Sequence, residues 1–241
     1  MLKKLLNLIL PPHCPICSKD ISEKEGFPFC TVCKEKVIEV RGPCCPTCGR
    51  PHPSPELLED HPYFKCGKCR TQPPSVDSAR TLLYFNGPVR EGIHLFKYSG
   101  HWRLGRDLIR YFRNHAAEIT LGADIILPVP LAPIRLRLRG FNQAVVLARE
   151  IAEAKGTPMI VDLLVRTRQV HPQVGLKEKE RFRNISGCFG VKRPERIKNK
   201  KILLIDDVLT TGATANECAH QLKKEGAESV HLLALAGNYI P

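Results

Sequence analysis

Aromatic side chains are scarce in this 241-residue chain: nine phenylalanines, five tyrosines and one tryptophan, 6% in all. A protein that gripped a single strand chiefly by stacking its bases would carry more of them. Tyr98, Trp102, Phe141 and Phe182 are the stacking candidates, and if a strand were bound the binding would be mainly electrostatic. Acidic residues are also few, 24 against 37 lysines and arginines, which leaves a formal charge of +13. That balance argues for an acidic partner: nucleic acid, nucleotide or phosphate. Long apolar runs are missing as well. The opening MLKKLLNLIL is too short to span a bilayer and runs into Pro11 and Pro12 with no small-residue cleavage site. It reads as a short amphipathic helix packed on the body, with weak peripheral membrane contact as the alternative. The expected location is the cytoplasm. With 43% hydrophobic residues, the chain is long enough for one sizeable core and a small module.

Cysteine is plentiful and concentrated. Nine of the eleven lie between Cys14 and Cys69, and eight of these form the C-x-x-C pairs Cys14/Cys17, Cys30/Cys33, Cys45/Cys48 and Cys66/Cys69. A C-x-x-C turn offers two thiolates to one Zn²⁺, and a second turn completes the tetrahedron. Twelve residues separate the first two pairs and seventeen the last two. Both gaps suit zinc ribbons, so one metal is assigned to the first two pairs and another to the last two. An interleaved pairing is the alternative topology, and an iron–sulfur cluster the alternative metal centre. A disulfide framework would need an oxidising compartment, to which nothing targets this chain. Cys44 competes with Cys45 for the third pair, and Cys45 is preferred because it shares the C-P-x-C spacing of Cys14. With all positions taken by sulfur, two structural zinc ions are expected. A cysteine-rich module of this size has few large apolar residues and depends on such staples to fold.

The densest functional signal is the thirteen-residue run ILLIDDVLTTGAT, Ile202 to Thr214. Its apolar start reads as a buried strand of a parallel sheet. Asp206 and Asp207 sit where the strand is expected to end, and a helix is expected over Ala215 to Glu225, closed by Gly226. A small-residue turn entering a helix makes an anion site, because the first helical N–H groups lack internal partners and the dipole favours negative charge. Thr210, Thr211 and Thr214 add hydroxyls, while Gly212 and Ala213 keep the turn small. The carboxylate pair beside it suits two vicinal ribose hydroxyls, since an ionised carboxylate only accepts hydrogen bonds.

Elsewhere, strands are expected over Ala79–Phe85, Asp124–Val129, Met159–Arg166 and Ser229–Leu235. Helices are expected over Val89–Lys97, Trp102–His115 and Asn142–Lys155, the last with Asn142 as N-cap and Gly156 as stop. Strands alternating with helices imply an α/β fold with a parallel sheet, whose ligands bind beyond the carboxyl ends of the strands. Thr71 to Val76 reads as a linker, dividing residues 1–75, an N-terminal helix and double zinc ribbon, from residues 76–241. Between Leu131 and Lys201 there are 17 lysines and arginines against 6 acidic residues. Pro130 to Ala144 reads as a loop in which Arg135, Arg137 and Arg139 could hold a diphosphate and Gly140 leaves the backbone open. Val165 to Asn184 reads as a basic lid with Arg166, Arg168, Lys177, Arg181 and Arg183, overlapping the irregular stretch from Thr167 to Asn199.

The Ile202–Thr214 run resembles the phosphoribosyl-diphosphate (PRPP) signature of type I phosphoribosyltransferases. Carried over, Asp206 and Asp207 hold the ribose hydroxyls and Thr210 to Thr214 cradle the 5′-phosphate. The order of motifs narrows the resemblance. The C-x-x-C-rich start is followed by FKYSG (Phe96–Gly100), PVP (Pro128–Pro130), RGFNQA (Arg139–Ala144), QVGL and the ER..N residues up to Asn184, and DDVLTTGAT. Together they resemble the ComF family of competence proteins, with a phosphoribosyltransferase-like domain behind a double zinc ribbon. The resemblance implies a role in handling single-stranded DNA during natural transformation, beside a competence helicase and DNA-processing proteins. It also implies binding of PRPP or a nucleotide. The alternative is an active Mg²⁺-dependent phosphoribosyltransferase with an unidentified acceptor, in which Arg139, Lys177 and Arg181 are the candidates to stabilise the leaving diphosphate.

Overall fold

The computed structural model describes residues 13–21, 26–52, 63–119, 122–168 and 184–239. Two short helices, α1 (Thr31–Lys34) and α2 (Gly67–Thr71), each follow a cysteine at the N-cap, Cys30 and Cys66. Then come β1 (Ser78–Tyr84), α3 (Gly87–Tyr98), α4 (Trp102–Ile119), β2 (Ile125–Pro128), α5 (Pro133–Arg139) and α6 (Gln143–Lys155). The chain continues through β3 (Leu164–Arg166), β4 (Phe189–Val191), β5 (Lys201–Leu209), α7 (Ala213–Lys224) and β6 (Ser229–Gly237). β1, β6, β5 and β2 lie side by side in that order and all run parallel.

A parallel sheet must be covered on both faces, and β5 shows how. Ile202 and Leu204 join one apolar cluster with Cys218, Ala219 and Leu222 of α7. Leu203 and Ile205 join the other, with residues of α3, α4 and α6. Each such side chain, fully buried, contributes about 1.5–3 kcal/mol. The cysteine-rich part is built into the second cluster: Phe27 and Phe29 pack there with Phe96 and Phe112. Residues 38–40 also lie antiparallel along β1, Val40 N–H donating to Leu82 O at 2.8 Å and Tyr84 N–H to Ile38 O at 2.9 Å.

Several expectations need correction. The strand expected over Met159–Arg166 is only Leu164–Arg166, which pairs antiparallel with β4 rather than joining the main sheet. Met159 touches the sheet through a single bridge to Ile126, after which Leu163 turns into the core and its carbonyl accepts from Lys192 N–H at 2.7 Å. The stretch Thr167–Asn199, read as irregular, contains β4. The expected loop at Pro130–Ala144 contains α5, which starts with Pro133 in its first turn and stops at Gly140, φ +77°. β5 does not end at the acidic pair but continues to Leu209, and α7 begins at Ala213. The N-terminal helix and most of the lid, residues 169–183, lie outside the described residues.

The close approach of α3 and α4 depends on Gly105. A Cβ built there would lie 2.4 Å from the ring of Phe96, which is fully buried and has no room to retreat. Alanine favours a helix by about 1 kcal/mol over glycine, while overpacking costs about 1–3 kcal/mol. Gly105→Ala is therefore expected to lower stability in urea denaturation; a stabilised variant would contradict the packing described.

Candidate functional site

The eight paired cysteines form two quartets, Cys14/Cys17/Cys30/Cys33 and Cys45/Cys48/Cys66/Cys69, whose sulfurs lie within 4.8 Å of one another. The pairing is sequential, not interleaved, and Cys45 rather than Cys44 belongs to the second quartet. Sγ–Sγ separations of 3.4 Å (Cys17–Cys30) and 3.7 Å (Cys48–Cys66) fit a sulfur tetrahedron around zinc, whose edge is about 3.8 Å for Zn–S bonds near 2.3 Å. Burial raises the pKa of Cys14, but backbone N–H groups of Cys30, Cys17 and Ile16 outweigh it and bring the thiol down to about 7. Cys45 is brought to about 7 in the same way, against burial, by backbone groups of Cys48, Cys66 and Thr47. One thiol of each quartet is thus held towards its thiolate, while burial and the neighbouring sulfurs push Cys33, Cys48 and Cys69 up. Four sulfur ligands leave no open position, so these are structural zinc sites.

The acidic pair lies at the carboxyl edge of β5. Through Ile205 the side chains alternate between faces, but Val208 packs with the same cluster as Ile205 and Leu209 with the other. That break falls after Asp207: the charge of Asp206 reaches Cys218 of α7, whereas Asp207 faces α3 on the other side of the sheet. Asp207 accepts an ion pair from Lys97 Nζ at 3.0 Å, both side chains largely shielded from water. Asp206 takes one hydrogen bond from the Asp207 backbone N–H at 2.8 Å. Burial, and then the charge of Asp207, push the Asp206 carboxyl up to about 7, with Lys97 only partly opposing them. The turn follows directly: Gly212 caps α7 at φ +78°, and Thr211 Oγ1 accepts a long bond from Ala213 N–H at 3.4 Å. Ala213 and Ala215 are buried, whereas Thr210, Thr211 and Thr214 keep solvent access.

Lys97 is the site residue that reading of the motifs missed, although it lies inside FKYSG. Its neighbour Tyr98 carries the second link. The Arg139 guanidinium sits 4.8 Å from the Tyr98 ring centre and donates to Tyr98 Oη and Gln143 Oε1, each at 3.1 Å. The end of α3 thus joins the acidic pair to Arg139 at the end of α5. Asn142 anchors the same corner, accepting from Ala144 N–H and donating to Val129 O, both at 3.0 Å. Gly140 has nothing within 4 Å of a built Cβ, so its role is the left-handed turn in an open setting. Arg166 and Arg168 are engaged near the base of the expected lid: Arg166 lies 5.4 Å over Phe189, and Arg168 donates to Ser186 O at 2.7 Å. Lys177, Arg181 and Arg183 lie outside the described residues. Of the stacking candidates, Tyr98 faces Arg139, Trp102 faces Arg106 at 5.1 Å, and Phe141 packs on Phe96 at 5.6 Å; Phe182 is outside the described residues. No helix among the described residues is long and apolar enough to cross a membrane.

Two outcomes are expected. Metal analysis of reduced protein should find about two zinc per chain, released on acidification because protons compete for the thiolates; protein that stays folded without metal would contradict the sites. For Asp206, a pKa raised from 3.8 to about 7 means stability present at low pH is lost as pH rises through that window. Asp206→Asn should therefore raise the melting temperature at pH 8 more than at pH 5, and an equal shift at both would contradict the raised carboxyl.

A double zinc ribbon domain matches residues 5–70, and a phosphoribosyl transferase domain matches residues 139–239. Competence protein F of Haemophilus influenzae is 27% identical over 232 residues, 92% of this chain and 89% of that protein. The DNA utilization protein YhgH of Escherichia coli (strain K12) is 28% identical over 233 residues, 95% of this chain and 98% of that protein. Competence protein ComFC of Bacillus subtilis is 27% identical over 227 residues, 88% of this chain and 89% of that protein. With both domains in this order and the sulfur quartets and parallel sheet in place, the chain is similar over nearly its whole length to the competence proteins F and ComFC and to the DNA utilization protein YhgH.

Proposed function

We propose that the chain binds the ribose-phosphate group of PRPP or a nucleotide at the carboxyl edge of β5, and uses that site in handling single-stranded DNA. The observation that carries this reading is the half-buried acidic pair abutting the Thr210–Thr214 turn. Asp206 and Asp207 serve as acceptors for ribose hydroxyls, and the turn with the start of α7 receives the 5′-phosphate. A carboxyl pushed up by burial and by a like charge gains by accepting hydroxyl hydrogens, which favour its ionised form. The names of the relatives, competence protein and DNA utilization protein, support the connection to DNA. So does the basic excess, of which Arg135 and Arg137 on the exposed α5 are part. In this reading residues 76–241 carry the pocket, and residues 1–75 present the ribbons as a surface for partners such as a competence helicase or DNA-processing proteins.

The intact acidic pair also favours a second reading, transfer of phosphoribose from PRPP to an acceptor. Mg²⁺ would then accompany the diphosphate and neutralise part of its charge. Arg139, with Lys177 and Arg181 from the expected lid, would stabilise the departing diphosphate.

Calorimetric titration of PRPP–Mg²⁺ into zinc-loaded protein tests the shared premise. Binding is expected in the micromolar range, about −8 kcal/mol, and should be lost in the Asp206→Asn/Asp207→Asn variant. Equal binding in both proteins would mean the acidic pair does not hold the ribose.

A further inference from the structure

A cavity of about 610 Å³ lies between the second zinc ribbon and the outer side of the phosphate turn. Its ribbon wall includes Arg50 and Lys68 beside the sulfur ligands Cys48, Cys66 and Cys69, its opposite wall Thr210, Thr211 and Asn216, and Tyr239 also lines it. That volume falls within the range of small-molecule sites, about 300–1,000 Å³. The two walls are fastened to each other. Arg80 of β1 donates to Pro46 O in the ribbon at 3.0 Å, and Tyr239 Oη donates to Cys48 O at 3.4 Å. Gly49, at φ +69°, lies so close to β1 that a Cβ there would meet Ala79 O at 2.3 Å. The linker closes a third side, Ser75 N–H donating to the Asn216 side chain. The cavity is therefore set by the fold, and Thr210, Thr211 and Gly212 line it together with Arg50 and Lys68, whereas Asp206 and Asp207 do not.

We infer that this cleft seats the nucleotide preceding the one on the acidic pair, so that the protein receives the 3′ end of a single strand. The inference rests on the ribose-phosphate reading above and deepens it. A mononucleotide or PRPP ends at its 5′-phosphate and has nothing to place beyond the turn. In a strand, that phosphate is a diester whose second ester oxygen belongs to the preceding nucleoside, which must lie on the far side of the turn. There Arg50 and Lys68 meet its own phosphate, and the apolar surface of Pro73, Pro74 and Val76 meets its sugar and base. The acidic pair sets the polarity. A carboxylate can accept from a sugar 3′-hydroxyl only if that hydroxyl is free, which within a strand is true only of the last nucleotide. A 3′-phosphate would instead bring negative charge against Asp206 and Asp207.

The test compares thymidine 5′-monophosphate (pT), the dinucleotide pTpT and its 3′-phosphorylated form pTpTp, with PRPP–Mg²⁺ as reference, on zinc-loaded protein. pTpT is expected to bind about tenfold more tightly than pT, and pTpTp to lose that gain. Arg50→Ala/Lys68→Ala alters two exposed side chains. It should remove the advantage of pTpT while leaving PRPP affinity and zinc content within about twofold of the parent. PRPP binding with pTpT no tighter than pT, or pTpTp equal to pTpT, would overturn the 3′-end assignment while the ribose-phosphate reading stood. Loss of PRPP binding together with pTpT in this variant would overturn it too, since the cations would then act on the shared phosphate. Failure of PRPP itself to bind the parent protein would remove the premise and the inference with it.

Discussion

Two neighbouring carboxylates on a half-buried strand repel each other, and much of the site follows from how the fold relieves that repulsion. One lysine, Lys97, neutralises Asp207 from the far end of α3. Among the described residues Asp206 is left with a single backbone donor and a carboxyl pushed up to about 7. Such an arrangement is costly for folding and useful for binding, because hydroxyl donors or a cation can satisfy what the protein leaves unmet. The same lysine fixes the end of α3, and the adjoining Tyr98 holds Arg139. A charge problem on β5 is thereby coupled to the position of Arg139 at the end of α5.

The zinc ribbons look separable in sequence and are not separate in packing. Phe27 and Phe29 belong to the core that covers one face of the sheet, and residues 38–40 extend its β1 edge. The second ribbon is pinned to β1 and to the chain following β6 by Arg80, Gly49 and Tyr239. Metal binding therefore stabilises more than a small appendage: it shapes a wall beside the turn at Thr210–Gly212.

Much of this was legible from residue patterns because the relevant physics is local. The C-x-x-C spacings delimit both sulfur quartets, and α6 has the Asn142 cap and the left-handed Gly156 that its sequence suggests. The buried strand and small-residue turn of Ile202–Thr214 locate the site without reference to distant residues. What escaped was set by contacts far apart in the chain. α5 hid among Pro130, Pro133 and Gly140 because Ile134, Leu136 and Leu138 are exposed and give no buried stripe. The split of Met159–Arg166 comes from pairing with residues 189–191, which no local pattern announces. Lys97 could be recognised as part of FKYSG but not as the counter-ion of Asp207, since only the crossing of α3 over the sheet brings them together.

The ionisation of Asp206 is the most direct measure of this account. Carbon-13 NMR of aspartate carboxyls, assigned by Asp206→Asn, should show one group titrating near about 7 in zinc-loaded protein. Addition of PRPP should move that titration towards lower pH, as ribose hydroxyls donate to the ionised form. An Asp206 carboxyl titrating in the ordinary range near 4, unmoved by PRPP, would contradict a strained acidic pair waiting for a ribose.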